Sequence, residues 1–379
     1  MSEKAPGGPP LVTCPHCEST VPLGAFCGHC GAHLSTADTD RRYAFAAVPS
    51  ESVLRLNVIS TLLPHLSHRR GGPFRLALIA GVVVVLLLAA LHLFAPATAA
   101  AVFLLPVLYL LYLYEVEVYG DEPWLLVAAT MVVGAVLGYF FTALVGGAAS
   151  QLSLTGDTSG GFALGGIGIP IAAQALMLVG PLFLFLFRGR FREPLDGLTF
   201  GAASALGFSL ASELTALWPT IIGPLVAIGD PIDWALRLLR LGILVSLVNA
   251  STTGLVTASV WLQRYDPRRS QRAWEVSVLA VLVVVVGAQL LLGGLTFVVS
   301  DLFVQVLVWA LATLALMLYV RQVIHQALLA EGAAHEIGPD SQCPECHRIV
   351  PTMLFCPNCG AARAASVRSA RPVRTGTAG

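Results

Sequence analysis

The sequence predicts an all-α, polytopic membrane helix bundle with a small metal-binding module at each end, and three observations carry that prediction. Of 379 residues, 56% are apolar and only 12% are charged, with a mean hydropathy of +0.77, whereas soluble domains run at about 50% apolar and about 25% charged. Apolar stretches long enough to cross the bilayer recur along the middle of the chain, and all eight cysteines lie outside them in two spaced clusters. A soluble globular enzyme is therefore excluded. Lys plus Arg equals Asp plus Glu at 22 each, so no basic field points to a nucleic-acid partner and none is expected.

A helix needs ~20 mostly apolar residues to cross ~30 Å of hydrocarbon, and eight segments qualify. They are Leu76 to Ala95, Pro96 to Tyr114, Trp124 to Ala149, Ile167 to Phe187, Gly197 to Trp218, Ala235 to Leu262, Val276 to Val299 and Leu302 to Val320. Pro96 marks the break between the first two. Arginines support the count because cytoplasmic loops carry an excess of basic residues. Arg69, Arg70 and Arg75 precede span one; Arg188, Arg190 and Arg192 follow span four; Arg264, Arg268, Arg269 and Arg272 follow span six; Arg321 follows span eight. The connections 150–166, 218–234 and 300–301 have none. Both termini are expected in the cytoplasm, in a bacterial-type inner membrane, and no cleavable signal peptide is read at the N-terminus.

The domain order follows: a zinc ribbon at 1–35, a linker at 36–75, the membrane domain at 76–321, a linker at 322–341, a second ribbon at 342–362 and a disordered tail at 363–379. Within 51–63, Val53, Leu54, Leu56, Ile59, Leu62 and Leu63 fall mostly on one helical face, which suits an interfacial helix or one packed on the first module.

The cysteines form Cys14-Pro-His-Cys17 with Cys27-Gly-His-Cys30, and Cys343-Pro-Glu-Cys346 with Cys356-Pro-Asn-Cys359. Two such knuckles present four thiolates to one tetrahedral Zn2+, and the metal replaces the hydrophobic core that so small a module lacks. Residues 14–32 and 343–361 match at ten of nineteen positions, an internal repeat. The competing reading, disulfides, needs an oxidising compartment that the arginine pattern argues against. Two closed, structural Zn2+ sites are expected, with His16, His29 and His347 as spacers rather than ligands. The modules resemble the short zinc ribbons of many bacterial membrane and signalling proteins, which implies contacts with cytoplasmic protein partners or with each other.

The bundle offers little chemistry. Spans two to eight contain no His, Cys or Lys, and Glu213 is the only carboxylate well inside one. Metal, serine and aspartyl intramembrane proteases need respectively about three N, O or S ligands, a His base, and two Asp; none of these sets assembles. A buried charge in a membrane usually pairs, so Glu213 is expected to meet Arg237 or Arg240, which open span six from the same side. Gly134-x3-Gly138 and Gly197-x3-Gly201 read as close helix packing within the chain.

The stretch Tyr114-Glu-Val-Glu-Val-Tyr-Gly-Asp-Glu-Pro-Trp124, then Ile169-Pro170 opening span four, then Pro194-Leu-Asp-Gly-Leu-Thr-Phe-Gly-Ala-Ala-Ser-Ala-Leu-Gly-Phe208 entering span five, resembles the PrsW family of intramembrane metalloproteases over roughly 114–260. The resemblance implies an adjacent Glu pair and then a basic residue shortly after the Pro, a Glu four residues after the Phe, and a His on the next helix. Those positions here hold Ala173 and Gln174, Met177, Ser212 and Asn249, with Glu213 one residue past Ser212 and Thr253 one turn past Asn249. Gln, Ser and Asn hydrogen-bond but do not serve as general bases near neutral pH. Gln174, Ser212, Glu213, Asn249 and Thr253 are thus the candidates for a remnant site. The expected function is a degenerate pseudoprotease that holds or senses a transmembrane helical client in the lipid bilayer. An active metalloprotease cutting transmembrane or anti-sigma-like substrates is the alternative, followed by a small-molecule transporter or channel.

Overall fold

A computed structural model describes residues 10–15, 17–34, 72–115, 124–155, 161–186, 194–223, 230–265, 277–332, 337–343 and 345–361. Eight helices among them are long and apolar enough to cross a membrane, and they coincide with the eight expected spans. In chain order they are α1 (Gly72–Ala90), α2 (Phe94–Glu115), α3 (Trp124–Thr155), α4 (Ala163–Leu186), α5 (Pro194–Ile221), α6 (Pro231 to Tyr265), α7 (Val278–Val298) and α8 (Leu302–Gly332). The chain is a multi-pass membrane protein. The expected amphipathic segment at 51–63, most of the arginine-rich loops and the tail lie outside the described residues.

Helix starts follow capping chemistry. Asp230 accepts from the Ile232 N–H at 2.9 Å and Pro231 supplies a preset φ, opening α6. The Ser277 hydroxyl accepts from the Ala280 N–H at 3.2 Å to open α7, and Asp301 accepts from Val304 at 2.8 Å to open α8. The first break differs from the sequence expectation. Helix α1 stops at Ala90, His92 takes φ 59°, and α2 already runs through Pro96. Proline is tolerated in a helix's first turn, where its missing N–H has no helical partner to lose. The turn therefore falls before it.

Helix α5 is packed between α3 and α6, with α4 and α7 closing the cluster. The glycine pairs explain the closeness. A Cβ on Gly134 or Gly138 of α3 would lie 2.1 Å from the Ser204 carbonyl oxygen or 2.3 Å from that of Phe208, both on α5. A Cβ on Gly201 of α5 would lie 2.3 Å from Thr257 Oγ1 of α6. Both small-residue motifs thus serve packing within the chain. The outward faces are apolar: Leu76, Ile79, Val83 and Leu87 on α1, and Leu279, Val283, Leu291 and Val298 on α7, are all exposed, as lipid-facing side chains must be.

The cysteine modules belong to a separate compact unit, which also takes in 112–115 of α2 and 318–332 of α8. Each module is a short antiparallel hairpin, β1 (Leu11–Thr13) with β2 (Thr20–Pro22), and β3 (Gly338–Gln342) with β4 (Ile349–Thr352). Strand β3 occupies the end of the stretch read as linker, and α8 continues past Val320 into its beginning, to Gly332.

Candidate functional site

In each module the knuckles are built by backbone hydrogen bonds that repeat position for position. Cys14 N donates to the Ser19 carbonyl at 3.0 Å and Glu18 N to that of Cys14 at 2.9 Å; Cys343 N to Arg348 at 2.8 Å and His347 N to Cys343 at 2.9 Å are the counterparts. The second knuckles close in the same way, Gly31 N on Cys27 and Gly360 N on Cys356, with φ of 75° and 73°. That backbone conformation costs glycine nothing.

These turns bring the sulfurs together. Cys14 Sγ lies 3.8 Å from Cys30 Sγ and Cys17 Sγ 3.8 Å from Cys27 Sγ; in the second module Cys343–Cys359 is 3.7 Å and Cys346–Cys356 3.8 Å. All four sulfurs of each quartet lie within 4.8 Å of one another. A disulfide needs about 2.05 Å, so no cysteine is bridged. Four ligands at about 2.3 Å from a tetrahedral ion would sit roughly 3.8 Å apart. The donor set and spacing therefore fit a metal ion in each module. Crowding also splits the thiols: hydrogen bonding to Cys27 lowers Cys17 and hydrogen bonding to Cys17 raises Cys30, while hydrogen bonding to Cys343 takes Cys356 down to about 3 and raises Cys359.

In the bundle, four of the five remnant-site candidates, Gln174, Glu213, Asn249 and Thr253, line up along α6. Ser246 Oγ donates to Glu213 Oε1 at 2.8 Å; one turn on, Asn249 Nδ2 donates to Ser209 Oγ at 2.9 Å. A further turn on, Thr252 Oγ1 donates to Gln174 Oε1 at 2.8 Å, and Gln174 Nε2 donates to Thr253 Oγ1 at 3.2 Å. Gln289 of α7 closes this end, its Nε2 donating to Gln174 Oε1 at 2.9 Å. Gln174, Glu213, Ser246, Thr252, Thr253 and Gln289 are all buried. Two π-helical turns, Ala163–Gly168 in α4 and Leu239–Val245 in α6, lie just before Pro170 and just before Ser246. Such widened turns recur at functional sites, where they re-aim the side chains that follow.

Two expectations change, and two side chains come into play only in the fold. Glu213 makes no ion pair among the described residues: Arg240 donates instead to Gln305 of α8, and Glu213 faces Ser246, more than one turn further along α6, with Oε2 buried and unpartnered. Ser212, at the position the resemblance assigns to a carboxylate, points away from α6 and shares a 2.6 Å hydrogen bond with Thr142 of α3. The adjacent Glu213 holds the α6-facing side, as the 100° step between neighbours on a helix requires. Gln289 went unnoticed in the sequence, although it is the only long polar side chain in the apolar run of α7; Gln305 has the same standing in the apolar run 302–320 of α8.

The metal implied by the resemblance does not fit this set. Among the described residues, the two cysteine quartets are the only groups of three or more His, Cys, Asp or Glu close enough to hold an ion. The polar groups of α6 are amides and hydroxyls already engaged with one another, and Gln174 Oε1 accepts two hydrogen bonds. Glu213 and Gln174 are anchored at Ser246 and Thr253, seven residues and so roughly 10 Å apart along the helix. Ligands of one ion, each 2.0–2.3 Å from it, lie within about 4 Å of one another.

Compared with known proteins, the chain matches a sequence profile described as PrsW family intramembrane metalloprotease over residues 122–320, more than half its length. No curated protein and no solved structure matches it.

Proposed function

That this chain belongs to the PrsW family of intramembrane metalloproteases is the premise from which we propose its role: a catalytically degenerate member that holds or senses a helical client in the membrane. The observation that supports this reading is the hydrogen-bonded ladder Glu213–Ser246, Ser209–Asn249, Gln174–Thr252/Thr253 and Gln174–Gln289, in which hydroxyls and amides take one another as partners where a protease would present ligands and a base to water. The bundle interior then contributes specificity and stiffness rather than chemistry. The cysteine quartets hold two structural Zn2+ ions, because four-sulfur sites leave no open position for substrate. The membrane is a bacterial-type inner membrane with both ribbons in the cytoplasm, as the arginine distribution supports, and the ribbons carry any contact with cytoplasmic proteins.

The test is cleavage of a panel of single-span transmembrane peptides by purified protein in lipid vesicles, with and without added zinc. No metal-dependent product is expected. Product that disappears with chelator and with Glu213→Gln would establish the protease reading instead.

A further inference from the structure

The two cysteine modules are bonded to each other, and the bonding is reciprocal. In the internal repeat Cys14 corresponds to Cys343, so Phe26 corresponds to Phe355 and Gly28 to Pro357. The Phe26 N–H donates to the Pro357 carbonyl at 3.0 Å, and the Phe355 N–H donates to the Gly28 carbonyl at 2.9 Å. Each module thus offers the same donor and the same acceptor to its counterpart, the pattern of a two-fold interface between identical subunits, here between repeats of one chain.

The side chains repeat the exchange. A Cβ on Gly24 would lie 2.5 Å from the Pro357 carbonyl oxygen, and a Cβ on Gly28 would lie 2.3 Å from Sδ of Met353, the residue corresponding to Gly24. Met353 packs into the first module's core with Cys14, Val21, Cys27 and Cys30, and the wholly buried Phe355 ring lies 3.1 Å from the Cβ position of Gly31. Gly28 and Gly31 lie within or just after the knuckle Cys27-Gly-His-Cys30, and Pro357 lies within Cys356-Pro-Asn-Cys359. The backbone that carries two metal ligands therefore also carries the interface.

We infer that the two quartets act as one linked unit: an ion in either module tightens the other, and the doubly loaded pair clasps together the segments that flank the eight spans. A module this small has no core to hold its knuckle without an ion. An unloaded knuckle cannot present the Gly28 or Pro357 carbonyl at a fixed place, and its partner then loses both a hydrogen bond and apolar cover. This rests on the metal-binding reading of the quartets.

The experiment follows zinc release from full-length, zinc-loaded protein in detergent micelles challenged with a chromogenic chelator. Wild type is compared with a Cys14→Ser/Cys17→Ser variant and with Gly24→Met. Gly24→Met keeps every ligand and copies the residue that the second module already accommodates at this position; retention of two zinc ions at saturation shows that both its modules fold. Wild type is expected to lose both ions in one phase. The ion remaining in the cysteine variant, and both ions in Gly24→Met, are expected to leave about tenfold faster, the effect of roughly one lost hydrogen bond with its packing. Release at the wild-type rate from both variants would show independent sites and overturn the linkage while leaving the metal reading intact. Wild type that holds no zinc would overturn both.

Discussion

Replacing Gln174 with leucine, close in size and wholly apolar, removes the node at which α4, α6 and α7 meet. Three hydrogen bonds go, from Thr252, from Gln289 and to Thr253, at about 0.6 kcal/mol each in membrane bundles. The larger cost is what stays behind. The Gln289 amide keeps only a stretched 3.5 Å contact to Thr252 Oγ1, and stranding a buried polar group costs about 1–3 kcal/mol. The single substitution should therefore destabilise the bundle by about 3–5 kcal/mol, whereas Gln174→Leu with Gln289→Leu, which removes both partners, should fall within about 1 kcal/mol of wild type. Unfolding by SDS titration in mixed micelles, followed by tryptophan fluorescence, measures both. A single variant within about 0.5 kcal/mol of wild type, or a double variant less stable than the single, would refute the assignment of these residues to one dry, internally satisfied node.

Metal content should be two zinc per chain in wild type and none when all eight cysteines are changed to serine, measured by atomic emission on purified protein. Glu213→Gln should cost less than about 1 kcal/mol, because the amide oxygen still accepts from Ser246 and the other carboxylate oxygen has no partner to lose, whereas Glu213→Leu strands the Ser246 hydroxyl and should cost about 1–2 kcal/mol in the same titration. Gly207→Val should cost about 3 kcal/mol or more and lower the yield of monodisperse protein, since its Cβ would lie 1.9 Å from the Met131 carbonyl oxygen on α3, a backbone wall that cannot swing aside.

What was legible in the sequence and what was not divide along a physical line. Span number depends on local hydropathy, and the quartets depend on spacing along one short segment, so both could be read residue by residue. Gly134 and Gly138 were legible as close-packing residues because a missing side chain acts in only one way at a crossing, even before the partner, α5, is known. The partner of Glu213 depends on the rotation of α6 relative to α5, and the π turn at Leu239–Val245 changes that rotation without any mark in composition. Arg240 lies six residues, and so roughly 9 Å, before the Ser246 that Glu213 meets, and it falls short in depth as well as in azimuth. The docking of the modules is harder still, because it joins two segments more than 300 residues apart in the sequence. The repeat that makes it reciprocal was visible, whereas the contact between Gly28 and Met353 required three dimensions.

The ladder along α6 bears on the proposed loss of the family's chemistry, and it leads to a prediction about supplying metal ligands there. If only side-chain identities had changed, returning an acid at Gln174 and an imidazole at Asn249 would bring back three donors with Glu213 and capture an ion. The geometry argues otherwise. Ser246, Asn249 and Thr253 sit on successive turns, roughly 4.5 and 6 Å apart along the axis, and their partners Glu213, Ser209 and Gln174 approach from two different helices. The donors form a line rather than a cup, and Met177, buried and 3.8 Å from Thr253 Oγ1, fills the space beside Gln174. A Gln174→Glu/Asn249→His variant should still contain two zinc per chain, and none once the eight cysteines are changed to serine. A third ion that survives loss of the cysteines would mean that the helices close around a metal once ligands are supplied, so that degeneracy rests in two side chains rather than in the way α4, α5 and α6 meet.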